Sequence, residues 1–186
     1  MRRALGSVAA VVLVAASCAR ARTTTTTAPT ADDCRAMGAL RLDYTVISVA
    51  EPVTGGAFLP PGARDSIRDL PPFCRVAGEI RATIDSHIIF ELWMPLSGWN
   101  GKFMAVGNGG WAGGVTYNSP GADLGRPFGL SGELRRGYAV VSTNTGHEGE
   151  PGLQQARFAY YHPHRLTDFG YRAVHEMTVK GKAITE

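Results

Sequence analysis

At 186 residues, with 44% hydrophobic and 9% aromatic side chains, the chain is long enough for one domain with a core and too apolar to be wholly disordered. The formal net charge of +3 comes from the first residues: without Arg2, Arg3 and Arg20, 16 basic residues remain against 16 acidic ones. No nucleic-acid partner is expected, because that would need a basic patch in the mature domain.

Arg2 and Arg3 precede an uncharged apolar run, Ala4 to Ala16, which is too short to cross a bilayer and is followed by small residues. This reads as an export signal. One cut falls after Ala19-Arg-Ala21, giving a signal peptide 1–21. The other falls before Cys18 in Ala15-Ala16-Ser17-Cys18, giving a lipoprotein signal 1–17 and a lipid anchor at Cys18. The expected location is therefore secreted, periplasmic or cell-surface, with the membrane reached only through that anchor. Cys34 and Cys74 then remain in an oxidising compartment and form a natural disulfide pair; two unpaired buried thiols are the alternative.

The threonine run and its neighbours, 22–33, read as a solvated tether, and 34–186 as the folded part. Asp43 to Val49 alternates polar and apolar residues and predicts a strand, whereas Gly and Pro make Pro52 to Gly62 a loop. Arg75 to Thr83 and Ser86 to Met94 alternate on either side of a short polar turn and predict an antiparallel hairpin. Lys102 to Val106 is a short continuous apolar run, expected to be a strand buried on both faces. Ser131 to Arg136 predicts the last turns of a helix capped by Gly137, and Tyr138 to Thr143 a buried strand. From Arg165 onward, Leu166, Phe169, Ala173, Met177 and Ile184 recur at helical spacing and predict one amphipathic helix.

An antiparallel start passing into strand, helix, strand, helix is the opening of a mostly parallel α/β sheet. Ligands of such sheets bind beyond the carboxyl ends of the strands, where Gly107 to Gly114 and Thr143 to Gly152 both lie. The first of these, "GNGGWAGG", contains the degenerate dinucleotide pattern Gly107-x-Gly109-x-x-Ala112. The acidic residue that should end the next strand is replaced by Thr143-Asn144, which weakens that reading. An oxyanion-binding loop fits better: glycines after a strand let backbone N–H groups approach a substrate, with Gly109 and Gly110 as donors and Trp111 as a flat wall. A tight turn with Trp111 packed in the core is the plainer alternative.

No nucleophile elbow is visible: "GLSGE" (129–133) has Glu133 in the last place and "GHEGE" (146–150) has no serine. His162 and His164 in "YHPHR" and His175 read as solvated, capping or packing histidines, and no metal site is expected. His147, at a strand's carboxyl end, is the histidine best placed for a ligand.

"LPPFCRV" (70–76), "ELWMP" (91–95), "GWNGKF" (98–103), "GNGGWAG" (107–113), "RRGYAVVSTNTGH" (135–147) and "DFGYRAVHEMTVKGKA" (168–183) occur in this order. With these segments the chain resembles the amino-terminal part of the tannase and feruloyl esterase family, exported serine esterases of the α/β-hydrolase fold. The resemblance implies a fold in which antiparallel strands lead into a parallel sheet and the chain ends before the nucleophile elbow. It implies hydrolysis of phenolic-acid esters through an acyl-enzyme, with the triad Ser, Asp and His outside these residues and the 186 residues inactive alone. It carries over the Cys34–Cys74 disulfide and the oxyanion loop at Gly109 and Gly110, with Trp111, Asn144 and His147 near an aromatic ester substrate. No cofactor is implied for this stretch; some members hold calcium in a lid domain that lies outside it. Asn144 departs from the family's usual Thr-Asp-Thr-Gly-His by replacing the aspartate. A non-catalytic exported module that binds an aromatic or sugar ligand is the second expectation.

Overall fold

A computed structural model describes residues 27–119, 128–149 and 155–186. The expected export signal, Cys18 and most of the threonine run lie outside the described residues. The tether ends sooner than expected, because Thr30 and Asp33 form a reciprocal capping box: Asp33 N–H donates to Thr30 Oγ1 (3.1 Å) and Thr30 N–H to Asp33 Oδ2 (2.9 Å). They start α1, Ala31–Ala36, whose one buried residue is Cys34. Cys34 is bonded to Cys74 with the Cα atoms 5.5 Å apart, closing a separation of 40 residues. On the chain-entropy account such a loop stabilises the fold by about 3 to 4 kcal/mol.

The strands are β1 (Thr45–Val53), β2 (Ala57–Phe58), β3 (Ile67–Arg68), β4 (Phe73–Ile80), β5 (Ile88–Pro95), β6 (Phe103–Val106) and β7 (Ala139–Thr143). Five of them form one sheet in the order β1-β4-β5-β7-β6, and β2 and β3 form a separate antiparallel pair. The expected hairpin is β4 with β5, in register from Phe73 opposite Pro95 to Ile80 opposite Ile88. β5 pairs antiparallel with β7, and β7 pairs parallel with β6. The sheet is thus mixed, mostly antiparallel with one parallel pair.

Expectations shift in the strands: β1 runs on through Pro52 and Val53, the first residues of the stretch read as a loop. β2 lies inside the stretch read as a loop, where too few alternating positions separate a two-residue strand from a turn. β6 is three-quarters half-buried rather than buried on both faces, because it is the outermost strand of the described sheet. β7, one place inward, is buried at all five positions.

Alternation sends successive side chains to opposite faces and builds two cores. Ile88, Phe90, Leu92 and Met94 of β5 join Cys74, Val76 and Ile80 of β4, under α1 and the terminal helix. Trp93 of β5, Phe73 of β4 and Val140 of β7 join Leu130 and Leu134 of α2 (Leu130–Arg135) on the other face. Gly137, with φ +79°, follows α2 as expected.

The terminal helix starts at Pro163, as α3 (Pro163–Thr167), passes through a π-helical turn (Asp168–Arg172) and continues as α4 (Ala173–Thr185). Ala173, Met177 and Ile184 face the sheet as their spacing predicts, whereas Leu166 is 52% exposed. The π turn inserts an extra residue and rotates the earlier segment away from the helical stripe.

Candidate active site

The parallel pairing of β6 with β7 sets Val106 beside Ser142, so both strands end at the same edge and their following loops run side by side. Three contacts join those loops. Gly113 and Gly149 exchange backbone hydrogen bonds (2.9 and 3.2 Å), Thr116 N–H donates to Ser142 Oγ (3.0 Å), and Thr145 Oγ1 reaches the Ala112 carbonyl (3.3 Å).

Asn108 shapes the glycine loop from within. Its Nδ2 donates to the carbonyls of Ala112 (3.0 Å) and Gly114 (2.9 Å), and Ala112 N–H donates back to the Gly109 carbonyl (3.1 Å). Gly110 takes a left-handed φ of +54°. Among the described residues, neither Gly109 N–H nor Gly110 N–H has a hydrogen-bond partner, and a Cβ at either position would meet no atom within 4 Å. Both glycines are exposed, and adjacent backbone donors placed so can receive an anionic oxygen.

Trp111 is half-buried and stacks on Phe169, centroids 4.9 Å apart. Phe158, from a 3-10 turn at Gln155–Ala159, lies 6.3 Å from Trp111 and stacks on His147 at 3.7 Å. His147 is 4% exposed, and its Nε2–H donates to the Trp111 carbonyl (2.8 Å). A cleft of about 350 Å³ lined by His87, Gly146, His147, Glu148, Phe158 and Arg165 adjoins this cluster.

Asn144, 3% exposed, turns inward: Oδ1 accepts from Ile89 N–H and Gly146 N–H, both at 2.9 Å, and Nδ2 donates to the His87 carbonyl (3.3 Å). It fastens the turn after β7 to the start of β5. Thr145 follows with φ +59°, a left-handed conformation that a β-branched residue adopts only when its surroundings impose it. Beneath Gly146 lies Asp168, fully buried, with Oδ1 accepting from Arg172 (2.8 Å) and Oδ2 without a hydrogen-bond partner.

On the opposite face of β5 is a second polar group. Glu91, 2% exposed, accepts from Arg75 Nε (2.8 Å), Trp93 Nε1 (2.8 Å) and the Tyr117 hydroxyl (2.7 Å). Burial, then the Glu91 charge, pushes the Tyr117 phenol far above its ordinary range, so it remains a neutral donor. Tyr117 also lines a cleft of about 610 Å³ between Gly114–Ser119 and Pro60–Ile67.

The structure therefore brings Gly109, Gly110, Trp111 and His147 together, sets Asn144 behind them, and keeps the Cys34–Cys74 disulfide away at the α1 end. His162 pairs with Asp85 (3.0 Å), and among the described residues no group of three or more His, Cys, Asp or Glu side chains could hold a metal ion. Phe158, Asp168 and the Glu91 group were not singled out from the sequence. Phe158 follows irregular chain, and Asp168 interrupts its helix through a π turn that residue spacing does not announce.

The family model described as tannase and feruloyl esterase matches residues 74–186. The chain belongs to the tannase and feruloyl esterase family. It is 40% identical, over 86% of its length and 25% of the relative's, to an uncharacterized esterase of Xanthomonas campestris pv. campestris. It is 35% identical, over 67% of its length and 20% of the relative's, to a probable feruloyl esterase B-1 of Aspergillus oryzae. Among solved structures, an esterase from Aspergillus oryzae superposes with a TM-score of 0.68 at 27% identity, over 84% of this chain and 29% of the other. The crystal structure of feruloyl esterase B from Aspergillus oryzae gives 0.65 at 28% identity, over 83% and 28%. The chain thus spans about a quarter of the length of relatives it matches, and the fold it shares with these two esterases is of the hydrolase kind. No helix among the described residues is long and apolar enough to cross a membrane.

Proposed function

We propose that this chain supplies the oxyanion half-site of an exported serine carboxylic-ester hydrolase acting on phenolic-acid esters. The observation that carries the reading is the pair of unpartnered backbone donors, Gly109 N–H and Gly110 N–H, in a glycine loop at the carboxyl end of β6, beside the Trp111–Phe169 stack. In acyl transfer a serine oxygen attacks the ester carbonyl, whose oxygen becomes an oxyanion. Two fixed N–H donors stabilise that charge, and each is worth roughly 10²- to 10³-fold in kcat. In this reading Trp111, backed by Phe169, is a flat wall against which the aromatic ring of the acyl group lies, with Asn144 and His147 behind it. The nucleophile, its histidine and the aspartate come from outside these 186 residues, so the residues alone are inactive. Export rests on Arg2, Arg3 and the apolar run after them, with release or a lipid at Cys18 as the two ends of that route.

The test is release of ferulate or gallate from methyl ferulate and methyl gallate by the full-length protein, with and without a serine-directed phosphonate. Turnover that the phosphonate abolishes is expected. Absence of turnover on either ester, with ferulate binding intact, would instead make the protein a binding module.

A further inference from the structure

His147 is more completely specified than a packing histidine requires. Its ring is stacked on Phe158 at 3.7 Å with 10° between planes, and Phe169 meets it edge-on at 5.6 Å. Thr145 Oγ1 lies 3.4 Å from Nδ1. Gly113 lies flush against it: a Cβ there would come within 2.6 Å of the imidazole Cδ2 and of the His147 carbonyl oxygen. The acceptor of its one strong hydrogen bond, the Trp111 carbonyl, belongs to the residue directly after Gly110. Because a carbonyl oxygen only accepts, Nε2 carries a proton.

We infer that His147 is a positioning residue for the glycine loop: by holding the Trp111 carbonyl it fixes the direction of the Gly109 and Gly110 amides, and it does not itself touch substrate. This rests on the oxyanion reading for its catalytic consequence, though not for the clamp. The strained turn fits the same role. Thr145 in a left-handed conformation and Gly146 with φ +83° bring the imidazole back over the glycine loop instead of continuing the line of β7. The Trp111 carbonyl shares its peptide with Ala112 N–H, which donates to the Gly109 carbonyl (3.1 Å) on the peptide that carries Gly110 N–H; of the ties that come from the loop after β7, the others, Gly113 to Gly149 and Thr145 to Ala112, lie farther along the chain from the two free donors.

Three substitutions separate ring from donor in the full-length protein. H147F keeps the stack on Phe158 and removes the N–H; H147Q restores an amide N–H at the reach of Nε2; H147N places its amide too short to reach. Hydrogen exchange of peptides covering 107–114 reads the clamp through the amides of Ala112 and Gly113. Steady-state kinetics on methyl ferulate reads its consequence. The clamp predicts exchange faster by roughly tenfold in H147F and H147N, as one lost hydrogen bond implies. It also predicts kcat lower by roughly 10- to 100-fold, KM little changed, and recovery of both in H147Q. Should H147F not fold, the Asn–Gln pair carries the comparison alone. Unchanged exchange in H147F and H147N, or no difference between H147N and H147Q, would overturn the clamp. Faster exchange with unchanged kcat would keep the clamp and overturn the oxyanion reading.

Discussion

The phenol of Tyr117 donates to the buried carboxylate of Glu91 at 2.7 Å, tying the end of the glycine loop to the middle of β5. The same carboxylate satisfies Trp93 Nε1 and the Arg75 guanidinium, whose side chain is 13% exposed. Removing it leaves an almost buried cation and two buried donors without their acceptor, because only the more exposed Glu51 then remains for Arg75. Glu91→Leu is therefore expected to destabilise the fold by roughly 3 to 5 kcal/mol in urea unfolding, the cost of breaking a buried pair from one side. Tyr117→Phe, which deletes one charged hydrogen bond, should cost about 1 to 3 kcal/mol. A loss under about 1 kcal/mol for Glu91→Leu would mean that the group is not held as described.

Gly146 lies directly on Asp168. Its φ is +83°, and a Cβ would fall 2.6 Å from the Asp168 Cβ, an atom close to the backbone that cannot swing aside. Gly146→Ala combines left-handed strain with overpacking, and a loss of roughly 2 to 4 kcal/mol is expected. Thermal unfolding within a few degrees of the parent would contradict it.

Asp85 joins the turn before β5 to α3 through His162 Nδ1 and Arg165 Nε, both at 3.0 Å. Partial burial raises its pKa, but the bonds from His162 and Arg165 outweigh that and hold the carboxyl below its ordinary value of 3.8. A depressed carboxyl stabilises the fold above its unfolded pKa and loses that contribution as pH falls through the folded one. The stability difference between the parent and Asp85→Asn should therefore be full at about pH 5 and shrink steadily below about pH 4. A difference that stayed constant from pH 5 to pH 2 would remove Asp85 from the account.

Much of this was legible in the residues. The period of two over Arg75 to Met94 locates the β4–β5 hairpin because one phase, Val76 and Ile80 in one strand and Ile88, Phe90, Leu92 and Met94 in the other, is apolar apart from Gly78. The glycine run and Gly137 mark their turns because left-handed or closely approached backbone leaves few residue choices. Glu91 was hidden for the opposite reason. In Phe-Glu-Leu-Trp it occupies the phase that usually faces water, and only the second layer, α2 with β2 and β3, buries that face. Asn144 read as a lost charge beside a pocket, whereas its amide donates to the His87 carbonyl while its oxygen accepts two N–H groups, a division of roles that an ionised carboxylate lacks. The Phe158–His147–Trp111 contact joins three segments without a shared period, and no local spacing encodes it.

Whether Gly109 and Gly110 supply oxyanion donors is decided by kcat of Gly110→Val in the full-length protein on methyl ferulate. A β-branched residue at φ +54° is strained even with open space around it and must rotate the loop, so a small fall in melting temperature is expected while the fold is kept. A fall in kcat of roughly 10²-fold or more with KM little altered is expected; an unchanged kcat would return the glycines to the role of a turn.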